Sequence, residues 1–337
     1  MPKINTKERL DTAKILNNLL SKLSPREKDV LGRRFGLNKK ERETLKKIGE
    51  VHNLTRERVR QVESSGVNKI KKLKEIEENL EELKSIATRL LQEHGGVAEK
   101  NYLLKLLSRL SETEEGPAEE GVLKNRLEFL LSKLLDEEIE EIKSDDHFLP
   151  SYKIREHQLD HLQEIGRELV AKIEELKSTQ KTRNLFELLN KLNAYHKHKD
   201  KLHSDSEISI SDIIQQDYPE EEADTIDKNK PLYSLLHASR YLDQNKFGYW
   251  GLHNWSEVKP KKINDKIYLI LKYYHKPMHF EEIAEEINRI GFDNKMANPA
   301  TIHNELILDE KYVLVGRGIY GLKEWGYKRG VVVVVIK

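Results

Sequence analysis

Leu54-Thr55-Arg56-Glu57-Arg58-Val59-Arg60-Gln61-Val62-Glu63 is the stretch on which the reading of this 337-residue chain turns. Thr55 suits a helix N-cap, where its hydroxyl accepts a backbone N–H two or three residues on. Val59 and Val62 stand three apart, the spacing of one helix face. Arg56, Glu57, Arg60 and Gln61 then fall on the opposite arc. Planar fork donors and amides on an exposed helix suit the edges of bases in a DNA major groove. Working upstream, Leu45, Ile48 and Val51 repeat at helical spacing within Thr44–Val51, and Asn53 tolerates the left-handed conformation of a short turn. Helix, short turn and basic second helix make a DNA-docking helix-turn-helix. A charged, solvated face on a small helical domain would show the same spacing.

Over a longer span, Leu23-Ser24-Pro25-Arg26-Glu27, Val30-Leu31, Arg34-Phe35-Gly36-Leu37, Thr44-Leu45, Ile48-Gly49, Thr55 to Glu63 and Lys69-Ile70-Lys71-Lys72-Leu73 follow one another without a gap. This run resembles region four of the sigma-70 family of bacterial RNA polymerase sigma factors. The resemblance implies that the second helix reads a −35-type promoter element in double-stranded DNA and that the domain docks on the polymerase core, at the β-subunit flap. The family's base-reading positions fall on Arg56, Glu57, Arg60 and Gln61, with Thr55, Arg58 and Lys69 completing the DNA-binding set. One departure is Ser65-Gly66-Val67 in place of the family's Ala-Leu pair. Gly66 weakens a helix by roughly 1 kcal/mol, so the recognition helix is expected to end early.

Composition frames this module. The chain is 35% charged and 37% hydrophobic, which favours several small helical domains over one large core. No apolar run reaches membrane-span length, no signal-peptide core follows Met1, and cysteine is absent, which removes disulfides and thiolate zinc sites and fits the cytoplasm. The net charge of +1 conceals an asymmetry. Residues 1–74 carry 21 Lys and Arg against 9 Asp and Glu, whereas residues 75–150 carry 9 against 20. A basic module followed by an acidic one is the footprint of a nucleic-acid binder with a self-limiting neighbour, although a Glu-rich helix face is also how a solvated helix looks.

Upstream, Leu10, Ile15, Leu16, Leu19, Leu20 and Leu23 mark an amphipathic helix over 5–23 that feeds Ser24-Pro25, and Lys69–Leu91 reads as one long charged helix. Downstream there are repeats. Gly248-Tyr249-Trp250-Gly251-Leu252-His253-Asn254-Trp255 and Gly318-Ile319-Tyr320-Gly321-Leu322-Lys323-Glu324-Trp325 share the pattern Gly-x-aromatic-Gly-Leu-x-x-Trp. Self-similarity at a fixed period marks a duplicated unit. In the last unit, helices over Asn264–Tyr274, Glu281–Ile290 and Ala300–Leu308 precede a hairpin of Tyr312–Val315 and Ile319–Leu322, which is a winged helix. The middle unit follows the same order and ends in a hairpin of Tyr233–Tyr241, a turn near Asn245, and Phe247–Leu252. Residues 86–155 form a candidate third copy. Pro277-Met278-His279-Phe280, Thr301 to Leu306, Leu314 to Leu322 and Trp325-Gly326-Tyr327 resemble a HARE-type helix-turn-helix domain, similar to the N-terminal domain of the polymerase delta subunit. The expected architecture is mainly α, a region-four helix-turn-helix followed by tandem winged helices. Its domains are 1–74, an acidic helical connector and possible winged helix at 75–157, a winged-helix repeat at 158–257 and a HARE-type winged helix at 258–337.

Thr301, His303, Asn304 and Arg317 are candidates for a second DNA or protein contact. Glu305, Asp309 and Glu310 beside them argue for protein. Trp250, Trp255 and Trp325 sit at hairpin ends and read as core rather than as base-stacking platforms. His157 and His161, four apart on a helix, and His196, His198 and His203 lack further ligands of defined spacing and read as surface histidines. No phosphate loop or nucleophile–base set stands out, so neither enzyme activity, metal, cofactor nor small-molecule substrate is expected. The terminal Gly330–Lys337 run is a strong β segment. The reading is a sigma-like transcription factor that binds promoter DNA beside RNA polymerase and regulates initiation, yet lacks a promoter-melting segment. Alternatives are a delta-like polymerase-docking protein without sequence reading, or the DNA-recognition module of a restriction or defence system.

Overall fold

Ser24 opens the first well-defined corner of the chain. Its side chain and that of Glu27 form a reciprocal capping box, Pro25 takes the first helical position, and Gly36, at φ 66°, turns the chain out of the helix. The same logic sets the next two helices: Thr44 and Thr55 cap them, and Asn53, at φ 54°, makes the left-handed turn between. In the computed structural model, which describes residues 10–39, 41–111, 119–202, 208, 210 and 220–327, the first module therefore comprises α1 (Thr12–Ser21), α2 (Pro25–Phe35), α3 (Leu45–His52) and α4 (Arg56–Lys71). Val30, Ile48 and Val59 form its small core, with Leu45, Leu54 and Val62 packed around them.

Two expectations change here. α4 does not end at Gly66 but runs on to Lys71. A Cβ at Gly66 would meet Leu31 Cδ1 at 3.1 Å, so the glycine lets α4 lie close against α2, and that packing outweighs its poor helix propensity. The charged helix expected over Lys69–Leu91 is two helices, broken at Lys72–Glu75 before α5 (Ile76–Glu93).

Three small antiparallel sheets follow. The first joins β1 (Val97–Glu99), β2 (Ile139–Ile142) and β3 (Ser151–Ile154), and α6 (Lys100–Arg109), α7 (Glu120–Phe129) and a π-helical turn at Leu130–Leu134 lie between its strands. The second joins β4 (Gln180–Lys181), β5 (Leu242–Gln244) and β6 (Tyr249–Leu252). Between α8 (Asp160–Leu176) and β5 come α9 (Thr182–Leu189), α10 (Asn193–His198), α11 (Glu220–Asp227) and α12 (Lys230–Ala238). The third joins β7 (Met278–His279), β8 (Tyr312–Gly316) and β9 (Ile319–Leu322), with α13 (Ile263–Tyr274) before it and α14 (Phe280–Ile290) and α15 (Pro299–Leu308) within it. In each sheet the first short strand pairs with the last, so the hairpin's second strand is central. The fold is mainly helical with these small sheets.

The middle hairpin differs from its expectation. Tyr233 lies in α12, which continues to Ala238, and the first strand starts only at Leu242. Leu232, Tyr233, Leu235 and Leu236 are all buried, so this apolar run is a helix buried on most sides rather than a strand. The turn is at Asn245, whose Oδ1 accepts from the backbone of Phe247 and Tyr249, each at 3.0 Å.

The chain divides into two compact units, residues 1–169 with 186–240, and residues 170–185 with 241–337. In the first, α12 lies on β1, where Ser234 Oγ donates to the Val97 carbonyl at 2.5 Å. There Lys230 and Glu93 form a fully buried ion pair at 2.6 Å. In the second, Ile267, Ile270, Ile283, Ile287, Ile302 and Leu322 make the core, and the buried Trp250 donates its indole N–H to Thr182 Oγ1 at 3.0 Å. Among the described residues no helix is long and apolar enough to cross a membrane. Gly330–Lys337 and His203 lie outside the described residues.

Candidate nucleic-acid interface

α4 is aimed by its cap and by its buried face. Thr55 Oγ1 accepts from Arg58 N at 3.2 Å, which spends the Thr55 side chain on the helix start. Val59, Gly66 and Ile70 are buried, fixing the rotation of the helix about its axis. Arg56, Glu57, Arg60 and Gln61 are thereby brought together on one exposed arc, with Ser64 and Asn68 continuing it. Val51, at the end of α3, is 51% exposed, because the α3 stripe buries only Ile48 and Gly49 fully. Lys69 leaves the arc: its ammonium reaches Glu27 on α2 at 2.6 Å.

The arc is pre-ordered by its own side chains. Arg60 forks onto Glu57, with Nη2 to Oε1 at 2.6 Å, and Arg58 donates to Gln61 Oε1 at 2.9 Å. Arg60 beside it holds the Glu57 carboxyl below its usual range. Behind the arc, Glu27 joins α2 to α4. It accepts from Ser24 N at 3.1 Å and from Lys69, and the Lys69 ammonium holds its pKa down at about 2. His52 Nε2 lies 2.8 Å from Asp29 Oδ2, which also accepts from Arg33 Nε at 2.8 Å. These clasps tie both ends of the α3–α4 corner to α2.

The residues that build this arc and its clasps fall within the match to one family. Residues 19–72 match Sigma-70, region 4. Among curated proteins, the RNA polymerase sigma factor SigA of Microcystis aeruginosa is 48% identical over 56 residues, 17% of this chain and 14% of that protein. SigA of Synechocystis sp. shows the same identity over 17% of this chain and 13% of that protein, and sigma factor sigB of Arabidopsis thaliana is 46% identical over 59 residues, 18% and 10% respectively. The chain thus spans about a seventh of the length of the bacterial relatives it matches. No solved structure matches it.

The region-four module is braced by residues beyond the match. Arg42 donates from Nε and Nη2 to Asn125 Oδ1, at 2.8 and 2.6 Å, and its Nη2 lies 2.6 Å from Glu128 Oε2. Asn125 Nδ2 donates to the Gly36 carbonyl at 3.3 Å, Arg126 Nε to that of Leu37 at 2.8 Å, and Phe129 packs on Phe35 at 4.8 Å between ring centroids. At the other end Lys71 pairs with Asp136 at 2.5 Å. Charge asymmetry between the two halves hinted at such an embrace, but no local pattern names Asn125 or Asp136.

In the last repeat, Thr301 and Asn304 face solvent on α15 and Arg317 is exposed at the hairpin tip. His303 is half-buried between the Phe280 and Tyr320 rings, at 4.7 and 5.9 Å. Ile307 is 54% exposed, and Leu308 is more so. Glu305 and Asp309 turn onto Asn264, with Nδ2 donating to them at 3.3 and 3.1 Å. The free face of α15 is therefore neutral to apolar.

Histidines correct the sequence reading. His161, in the first turn of α8, is buried, and burial pushes its pKa down to about 4. His157 lies in the turn before that helix, 6.1 Å ring to ring from His161, and His198 is 2.8 Å from Glu164. The helical spacing named the positions but not their packing. Among the described residues no group is arranged to hold a metal ion.

Proposed function

We propose that this chain is a sigma-like regulator of transcription initiation that reads −35-type promoter duplex through Arg56, Glu57, Arg60 and Gln61. Arg58 acts beside them, Thr55 sets the helix that presents them, and Lys69, held on Glu27, braces that helix. The observation that carries this reading is the exposed, pre-ordered arc on α4 within the sigma-70 region-four match. Arg60 supplies a planar donor fork for guanine, Gln61 an amide for adenine and Glu57 an acceptor for cytosine N4. RNA polymerase is the protein partner that the relatives' names suggest, and we place its contact at the β-subunit flap of the core. The site of action is the cytoplasm, and the chain regulates without catalysing a reaction or holding a cofactor.

The three repeats are read as winged helices, at 75–157, 158–257 and 258–337, the last of HARE type. Their shared strand order supports this. The uncharged outer face of α15 favours protein over DNA as the ligand of the last one, as in a delta-like subunit. The reading is tested by selecting duplexes from a random pool with the full chain. A −35-like consensus that is lost with Arg60→Ala and Gln61→Ala supports it. Enrichment of no sequence, with pull-down of polymerase core intact, would favour the docking protein instead.

A further inference from the structure

α4 is longer than a reading helix needs. It has 16 residues, and the helical period of 3.6 returns Lys71 to the azimuth of Arg60 after eleven residues, about three turns and roughly 16 Å further on. Arg60, Ser64 and Lys71 thus lie along one stripe. A cation there is placed to meet a backbone phosphate of any duplex that follows the helix. Lys71 does not face open solvent, because its ammonium is 2.5 Å from Asp136 Oδ1, in the link between the π-helical turn and β2. Arg155 holds that link by donating to the Asp136 carbonyl. Glu138 of the same link takes Lys84 at 2.5 Å. Lys71, Glu77, Glu81, Asp136, Glu137 and Glu138 line a cleft of about 310 Å³ whose balance is anionic.

We propose that Asp136 limits the DNA-reading face: it occupies Lys71, the cation that continues the Arg60 stripe, and ends the phosphate-contacting surface before the last turn of α4. The proposal rests on the duplex reading above. A phosphate contact adds equally on every sequence and carries one released counterion. Occupying Lys71 therefore lowers affinity for all duplexes while leaving the base-reading arc untouched. Such a limit suits a chain in which a strongly basic module would otherwise bind DNA indiscriminately.

The test measures binding of the full chain to a mixed-sequence duplex across a salt series. Asp136→Asn, which keeps shape and removes charge, is expected to raise affinity several-fold and to steepen the slope of log K against log salt by about one. Lys71→Ala alone is expected to leave affinity unchanged, and Asp136→Asn with Lys71→Ala to return the slope to that of the unaltered chain. An unchanged slope in Asp136→Asn, a gain that survives loss of Lys71, or a loss in Lys71→Ala each overturns the assignment. The last of these holds even if Asp136→Asn fails to fold. If Arg60→Ala still weakens binding in that case, the duplex reading stands and only Asp136 falls. If no form of the chain binds duplex, both fall.

Discussion

Removing the charge of Glu27 should loosen the recognition unit in a pH-dependent way. In Glu27→Gln the amide oxygen still accepts from Ser24 N, so the cap survives, but the ion pair with Lys69 is lost. The carboxyl falls from 4.5 to about 2, which at about 1.4 kcal/mol per pKa unit corresponds to about 3 kcal/mol. Lys69 is 58% exposed, so solvent screening brings the contribution to about 1–2 kcal/mol. The folded-state pKa is depressed, so this stabilisation is fully present above pH 4.5 and is lost as pH falls towards 2. All three tryptophans, at 250, 255 and 325, lie outside the first module, which supplies an internal control. Hydrogen exchange of the α2 and α4 amides, read by mass spectrometry at several pH values, should show faster opening in Glu27→Gln at neutral pH. The difference between the two proteins should shrink as pH falls below 4.5 and close towards pH 2, with the tryptophan-reported unfolding unchanged throughout. A difference that stays constant from neutral pH to pH 2.5 would refute the electrostatic account and leave only a packing effect.

Arg60→Ala should cost about 1–3 kcal/mol on a selected duplex and relax one base position, measured by competition binding. An equal loss on random DNA would contradict base reading. Gly36→Ala forces a side chain into φ 66° with its Cβ 2.5 Å from Asn125 Nδ2. It should destabilise the first module by more than about 1 kcal/mol in exchange measurements, and Asn125→Ala should relieve part of that strain without restoring the brace. Burial holds His94 and His161 near 4 rather than 6.5. Both should stay neutral to about pH 5 by NMR titration, and unfolding should ease as pH drops below 6.5 because the unfolded chain takes up the protons. Full charging of either ring at pH 6 would contradict their burial.

Local chemistry explains what the sequence made legible. Ser24-Pro25, Thr44, Asn53 and Thr55 carry their turn and cap roles within three residues, so the helices of the first module could be read directly. The Gly-x-aromatic-Gly hairpins at 248 and 318 likewise announce themselves. What escaped depends on partners far along the chain. Gly66 reads as a helix breaker until Leu31 is seen beside it. Tyr233–Tyr241 stands where the sister repeat places the first strand of its hairpin, yet Tyr233–Ala238 packs as a helix on β1. Asn125 and Asp136 meet the first module across 89 and 65 residues respectively, and no periodicity encodes such a meeting. The exposed arc of Arg56 to Gln61 was legible because its residues lie within two turns of one helix; its brace was not.

Asn125 has a consequence for heredity and for engineering. Its Nδ2 donates to backbone carbonyls of the Gly36–Lys39 turn and so follows the turn's shape, while its Oδ1 takes the Arg42 side chain. Substitutions at the exposed Asn38 or Lys39 should be tolerated as long as the carbonyls keep their place, whereas Gly36, at φ 66° and close against Asn125, should not be replaceable. Transplanting another protein's first 74 residues, however, would succeed only with recipients that retain Asn125, Arg126 and Glu128. The exchangeable piece of this chain is discontinuous, and its boundaries follow hydrogen bonds rather than position in the sequence.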